Sequence, residues 1–551
     1  MIEKQGKWWQ DTAFYEIYVP SFCDGNGDGV GDFLGITSKL DYLKELGIGG
    51  IWLTPFYKSP KIDNGYDISD YYAVDPDYGT MADVEHFIAE AHERGIRVIV
   101  DLVLNHTSSA HSWFIESASS LSSPKRDWYI WKSAVDGGVP NNWESLFGGS
   151  AWEWDARSEQ YYYHAFAKEQ VDLNWANPEV REAMQDVMGF WLDKGIDGFR
   201  LDVINFLKVS GEFIDNPYDE QGEQIHKYDQ NQEGILDAIR EICRYVHTRE
   251  GIFMVGEVGS ENMDLLRDFS GSGLLDVVFN FNLGSQEKFD PKAIFREMRL
   301  MEEKHTTDQL PTLFFSSHDM PRHISRFGEG SAHLEEQRAR LMATLMLTAK
   351  GIPFIYYGDE LGMRNHVAQR LEDMRDIQGI GHYKAAIQKG STEEEALAIA
   401  KAKSRDYSRS PMQWNGSQYG GFSDQEPWIG MSPTYEEIHA EAQFAEKGSM
   451  YQYYKTLLSL RQQYPSLSRG DYTRLEQRQD AIIYTKRFAE EEAVVILQYG
   501  DKPLLVDLTE WSDMKMNLLI ASGVGDEMDS GKFRLEIPAH TAVIFVSTNT
   551  R

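Results

Sequence analysis

The sequence predicts an α/β fold: an eight-stranded (β/α)8 TIM barrel, a lid subdomain inserted after its third strand, and a C-terminal antiparallel β-sandwich. Three observations predict it. Apolar runs rich in β-branched and aromatic residues recur eight times at helix-length spacing, as βαβ units closing a parallel sheet require. Between Thr107 and Trp175 that rhythm stops and Trp, Tyr, Ser and Gly dominate, as in a long excursion from a barrel strand. From about Gly470 the helical period gives way to short alternating runs. The expected divisions are residues 1–106 and 176–470 for the barrel, with a second insertion at about 365–425, then 107–175 for the lid and 471–551 for the sandwich.

The barrel strands are expected at Phe14–Phe22, Gly50–Pro55, Arg97–Asn105, Gly195–Val203, Ile252–Glu257, Leu275–Phe281, Thr312–Asp319 and Pro353–Asp359. Chemistry in such a barrel gathers at the C-terminal strand ends. Those ends carry His106, Asp202, Glu257, His318 and Asp319.

The first strand runs into Asp24-Gly-Asn26-Gly-Asp28-Gly-Val30-Gly-Asp32. Oxygen-bearing side chains at alternate positions, with glycines allowing a tight wrap, match the first nine positions of a calcium loop, although Gly35 stands where the closing Glu would be. A structural Ca²⁺ is expected on the side chains of Asp24, Asn26, Asp28 and Asp32 and the Val30 carbonyl. After the second strand, Asp63-Asn-Gly-Tyr66-Asp is a turn placed to present polar groups above the barrel. The lid closes with His164-Ala-Phe166, Gln170 and Trp175, aromatic faces and amides that suit a sugar's C–H surfaces and hydroxyls. In the fourth strand, period two sets Arg200 and Asp202 on one face, and an adjacent guanidinium favours an ionised carboxylate. Beyond the eighth strand a charge-rich helical segment, Glu393–Lys403, leads to Arg405-Asp-Tyr-Ser-Arg409-Ser-Pro-Met-Gln-Trp414. The sandwich strands are expected at Ala481–Phe488, Ala493–Gln498, Pro503–Leu508, Lys532–Ile537 and Thr541–Val546.

Composition narrows the partners. Across 551 residues the formal charge is 54 − 87 = −33, which argues against nucleic acid and acidic membrane surfaces and counts against phosphorylated substrates. Cys23 and Cys243 are too few and too far apart in sequence for a disulfide framework. No run of about 18 apolar residues and no apolar leader is present, so a soluble, cytoplasmic protein is expected, with a monomer favoured.

Four segments in order, Asp101-Leu-Val-Leu-Asn-His106, Gly198-Phe-Arg-Leu-Asp202, Val255-Gly-Glu257 and Ser317-His318-Asp319, resemble the α-amylase superfamily, glycoside hydrolase family 13. The Asp24–Asp32 loop, Asp63 to Ile68, Phe147-Gly-Gly-Ser-Ala-Trp152, Gln170 to Trp175 and Arg409 before Pro411-Met-Gln-Trp414 are most similar to its oligo-1,6-glucosidase, dextran glucosidase and trehalose-6-phosphate hydrolase group. The resemblance implies Asp202 as nucleophile, Glu257 as general acid/base and Asp319 as transition-state stabiliser. It implies that Asp63, Tyr66, His106, Gln170, Arg200, His318 and Arg409 line the terminal-glucose subsite, with Asp63 and Arg409 an opposed pair closing it for exo action. Val203, directly after the nucleophile, implies a preference for α-1,6 bonds. Met320, Asp359, Lys208 and Ser260 depart from the group's pattern beside the reacting sugar, so trehalose-6-phosphate hydrolysis and sucrose isomerisation stay open as alternatives.

Overall fold

The computed structural model describes residues 7–306, 308–328, 331–507, 516–521 and 534–547. Eight parallel strands form the central sheet: β1 (Phe14–Ile17), β2 (Gly50–Leu53), β3 (Arg97–Val103), β4 (Gly198–Asp202), β5 (Phe253–Gly256), β6 (Val277–Val278), β7 (Thr312–Leu313) and β8 (Ile352–Tyr356). They run in the order β6-β5-β4-β3-β2-β1-β8-β7. The remaining seam, between β6 and β7, is bridged by a side chain. The Asn280 N–H donates to the Thr312 hydroxyl at 2.9 Å, and that hydroxyl donates to the Val278 carbonyl at 3.1 Å.

Several strands stop earlier than the sequence suggests. The run Phe14–Phe22 divides because Pro20 has no N–H for a ladder and fits the first turn of a helix, so Val19–Phe22 is helical. The run to Phe281 ends at Val278, where the Asn280 side chain accepts the Asn282 N–H and starts another helical turn. These short strands release the chain at the rim, where site residues are needed.

Alternation splits each strand between two cores. Inward-facing Phe14, Trp52, Ile99, Phe253, Val255, Phe279 and Phe354 fill the barrel. Phe14 is stacked between Phe253 and Phe354, each ring centroid 4.8 Å away. Gly198 meets the Phe253 carbonyl so closely that a Cβ has no room. The outward faces pack on helices such as Met81–Glu93, started by a Thr80/Asp83 capping box, and Pro178–Asp193, capped by Asn177.

In the lid, Trp131–Lys132, Gln160–Tyr163 and Trp152–Asp155 form a small antiparallel sheet. Its exit, Gln170–Asp172, pairs antiparallel with His106–Ser108 and so draws Gln170 back over the end of β3. The second insertion is a helical hairpin, Ile377–Gln388 and Glu393–Lys403. At the C-terminus a five-stranded antiparallel sheet (Asp471–Arg478, Ala481–Phe488, Glu491–Gln498, Thr541–Ser547, Met516–Ala521) faces the pair Leu504–Asp507 and Arg534–Ile537 across Ile483, Val494, Val506, Ile537 and Phe545. Asp471–Arg478 and Met516–Ala521 are additions to the expected strands. The expected ends at Leu508 and Lys532 lie outside the described residues.

Candidate active site

Above the C-terminal strand ends lies a cavity of about 330 Å³. Asp63, Tyr66, His106, Phe166, Gln170, Asp202, Val203, Glu257 and Asp319 all line it, joined by Leu146, Phe147, Gln378 and Arg405. Arg200, His318 and Arg409 stand behind the lining and hold it.

Strand register explains the centre. Arg200 on β4 sits opposite Asp101 on β3 and Val255 on β5. Its Nη1 donates to Asp202 at 2.5 Å and to Asp101 at 2.9 and 3.1 Å, while Nη2 donates to Glu257. One fully buried guanidinium therefore spans both carboxyl groups of the suspected pair. Burial pushes the Glu257 carboxyl up to about 7; Arg200 opposes the shift, whereas Asp202, which meets Glu257 directly, and Asp319 reinforce it. Burial also raises Asp202, to about 6, with Arg200 holding it down. The sequence argument that Arg200 keeps Asp202 low is thus corrected in its net sign, because desolvation outweighs the cation. What survives is the order: Asp202 gives up its proton before Glu257.

Asp319 sits in the opposite setting. Burial raises its pKa, but His318, Arg405 and Arg409 outweigh that and hold it well below the usual carboxylate range. His318 donates from Nδ1 to Glu16 at 2.5 Å and from Nε2 toward Asp319 at 2.9 Å. Burial alone would lower His318; the two carboxylates push it up to about 9, so it is a cation at neutral pH. The Tyr66 hydroxyl meets His318 Nε2 at 2.6 Å, and the Tyr18 ring lies nearly parallel to the imidazole with centroids 6.0 Å apart. His106 differs: burial drives it down to about 3, leaving a neutral ring beside Gln170 Nε2 at 3.2 Å.

At the closed end the structure corrects one assignment. Asp63 pairs with Arg405 at 2.5 Å and accepts from Gln170 Nε2 at 3.0 Å. Arg409 lies deeper, donating to the His318 carbonyl at 2.8 Å and to Asp319 at 3.0 Å. The 3-10 turn Arg405–Tyr407 swings the chain inward so that only the first of the two arginines reaches the cavity. Sequence reasoning had both arginines in one motif and chose the wrong one for Asp63. It also passed over Asp101, whose partner Arg200 is evident once β3 and β4 are paired, and Phe147, whose ring lies 5.1 Å beneath the Arg405 guanidinium.

Val203 has φ +38° and ψ +45°, left-handed backbone that a β-branched residue rarely adopts. The kink turns the chain sharply from β4, leaves Asp202 at the strand tip and sets Val203 in the cavity wall. Such strain persists only where the surroundings enforce it, as the Ile204 N–H does by bonding the Glu257 carbonyl at 3.1 Å.

In the Asp24–Asp32 loop, Asp24 accepts the N–H groups of Asn26, Gly27 and Gly29, Asp28 that of Val30, and Asp32 those of Gly25, Asn26 and Gly35. Among the described residues no group of three or more His, Cys, Asp or Glu side chains converges on a common metal position.

A barrel whose strand tips gather three carboxyl groups of graded acidity in a sugar-sized, aromatic-walled cavity defines a glycoside hydrolase. The catalytic-domain model of the α-amylase family matches residues 16–470. The chain belongs to that family. It is 41% identical to a probable oligo-1,6-glucosidase of Bacillus subtilis strain 168 over 90% of this chain and 92% of the relative. It is 37% identical to a trehalose-6-phosphate hydrolase of the same organism over 99% of both chains. The crystal structure of the trehalulose synthase of Pseudomonas mesoacidophila MX-45 superposes with a TM-score of 0.92 at 36% identity, covering 98% of this chain and 100% of that one.

Proposed function

We propose that this hydrolase is a retaining, exo-acting α-glucosidase that releases glucose from the non-reducing end of short α-glucosides and prefers α-1,6 linkages. The observation that carries the reading is the Asp202–Arg200–Glu257 bridge at the inner end of the cavity. Retaining cleavage needs two carboxyl groups roughly 5–5.5 Å apart, one ionised and one protonated. The guanidinium shared by the two carboxyls keeps them close together, and their order of ionisation supports the roles.

Asp202 attacks the anomeric carbon while Glu257 gives its proton to the departing oxygen, leaving a glucosyl ester on Asp202 and a neutral alcohol. Glu257, now a carboxylate, takes a proton from water, whose oxygen attacks the ester and regenerates Asp202. Asp319, kept ionised by three cations of which His318 is one, bonds the glucose hydroxyls as positive charge grows on the ring. The Asp63–Arg405 pair and Gln170 close the far end, which supports removal of one glucose at a time.

Val203 in the wall beside the acid/base supports the α-1,6 preference. The chain's formal charge of −33 supports an uncharged substrate over a phosphorylated one. Trehalose-6-phosphate hydrolysis remains the second reading, favoured by the relative aligned over 99% of both chains.

We also place a structural Ca²⁺ on Asp24, Asn26, Asp28, Asp32 and the Val30 carbonyl, supported by the alternating spacing of the loop. A cytoplasmic setting fits the buried free thiols of Cys23 and Cys243. Glucose release from isomaltose, maltose, sucrose and trehalose-6-phosphate, each compared with the Asp202→Asn variant, tests the reading. Isomaltose is expected to give the highest kcat/KM, and Asp202→Asn to lower it by at least about 10⁴-fold. Turnover confined to trehalose-6-phosphate would overturn the substrate assignment while leaving the reaction type in place.

A further inference from the structure

A buried carboxylate bonds Arg405 from behind the cavity. Asp376, fully buried, ends the segment before the helix Ile377–Gln388 and caps it, accepting the Gln378 and Gly379 N–H groups at 3.3 Å. The same carboxylate takes three bonds from Arg405: its backbone N–H at 2.8 Å, Nε at 2.9 Å and Nη2 at 2.6 Å. A reciprocal tie runs the other way, with Asp406 accepting the N–H groups of Arg375 at 2.8 Å and Asp376 at 3.3 Å. Two carboxylates thus cross-link the entry and exit of the helical hairpin.

The hairpin does not merely decorate the surface. Its second residue, Gln378, lines the cavity, and its exit carries Arg405, which bonds Asp63 at 2.5 Å and approaches Asp319 at 3.4 Å. Arg405 therefore divides its five N–H donors between a carboxylate outside the cavity and two that face the sugar. An N-cap needs one acceptor oxygen; it does not need a bidentate arginine that also spans two cavity carboxylates.

We propose that Asp376 is a positioning residue for the terminal-glucose subsite, holding Arg405 so that Asp63, which accepts one N–H on each oxygen, keeps a lone pair for a glucose hydroxyl. The proposal rests on the glucosidase reading for the identity of the sugar. Without the Asp376 charge, the Arg405 fork collapses onto Asp63 and Asp319, and both lose capacity for the ligand. The effect falls on binding of the glucose unit and reaches the leaving group only through it.

Calorimetric titration of glucose into wild type, Asp376→Asn and Asp376→Glu, with kinetics on an aryl α-glucoside, tests this. Asp376→Asn keeps an oxygen for the helix cap, and is expected to raise the glucose Kd and the KM about tenfold with kcat within about threefold. Asp376→Glu restores the charge and is expected to recover most of the loss. Unchanged Kd and KM in Asp376→Asn, with a lowered unfolding temperature alone, overturns the proposal and reduces Asp376 to a cap. Should Asp376→Asn fail to fold, Asp376→Ser decides: it keeps a cap oxygen without the charge and is expected to raise Kd about tenfold, and an unshifted Kd overturns the proposal. A wild-type enzyme that binds glucose but cleaves no α-glucoside sinks the functional reading above and leaves the Kd comparison decisive.

Discussion

Glu257 and Asp202 share one guanidinium yet stand in different protonation states near neutrality. Burial raises both, Arg200 lowers both and Asp319 raises both; Asp202 adds to the rise at Glu257, as Asp101 does at Asp202. For isomaltose, kcat/KM is expected to rise as Asp202 ionises near pH 6 and to fall as Glu257 loses its proton near pH 7, giving a narrow bell whose limbs belong to the coupled pair. Glu257→Gln is expected to lower kcat/KM for isomaltose by about 10²–10⁴-fold while sparing glucosylation by an aryl α-glucoside, whose leaving group needs no proton. With that substrate the alkaline limb should disappear from the single-turnover rate. A limb that persists in Glu257→Gln assigns it to another group. The three carboxylates were legible in the sequence because each ends an apolar run, and a strand tip fixes where a side chain emerges. Arg405 was not: two arginines four residues apart in an irregular turn look alike until the backbone path decides which one reaches inward.

Elements were readable in proportion to how much apolar surface they bury. The barrel strands announce themselves because both faces are covered, by Phe14 and Phe354 inside and by helices outside. Asp471–Arg478 does not, since its residues are polar or half-exposed along both faces, as an edge strand's are. Strand ends were overestimated wherever Pro20 or Asn280 turned the chain into a helix, signals that lie inside an otherwise apolar run. The Asp24–Asp32 loop poses the opposite question, a clear pattern with two physical solutions. Its carboxylates are satisfied by the loop's own N–H groups, yet the loop packs beneath the second insertion, where the Asp24 carboxylate accepts the Ser423 hydroxyl at 2.6 Å and the Gly29 carbonyl accepts the Trp428 N–H at 3.0 Å. If Ca²⁺ is held there, chelation by EDTA is expected to lower the unfolding temperature by several degrees and re-addition of Ca²⁺ to restore it, since a ligand of the native state alone stabilises by mass action. Calorimetric scans with no EDTA-dependent shift refute the metal and leave the N–H bonds as the whole explanation of the loop.

At the scale of the molecule, the C-terminal sheets touch the barrel far from the cavity, and one residue shows what the contact does. Lys486 is fully buried where the sheet meets the end of the helix Ala332–Thr348. Its ammonium donates to the Thr348 carbonyl at 3.0 Å, the Ala349 carbonyl at 3.3 Å and the Leu467 carbonyl at 2.6 Å, three acceptors that no helix bond satisfies. Burial and the nearby Arg461 and Lys350 hold its pKa well below the ordinary lysine value. A lysine whose folded pKa is depressed binds its proton more weakly when folded, so its contribution to stability rises as pH climbs from the folded value toward the unfolded one. Lys486→Met keeps the stem's packing but strands the Thr348 and Ala349 carbonyls, each worth about 1–3 kcal/mol when left unpaired, and leaves Leu467 its 3.4 Å bond from Arg461; the loss is offset by the desolvation cost of the charge it removes. The expected result is a lower unfolding temperature by several degrees at pH 7 and kcat/KM on isomaltose unchanged at 25 °C. Loss of activity in parallel with stability, in protein still folded by circular dichroism, would show that the C-terminal domain shapes the cavity through the barrel helices. Unchanged unfolding would mean that the apolar contacts around Leu467 and Tyr484 hold the domains together without the lysine.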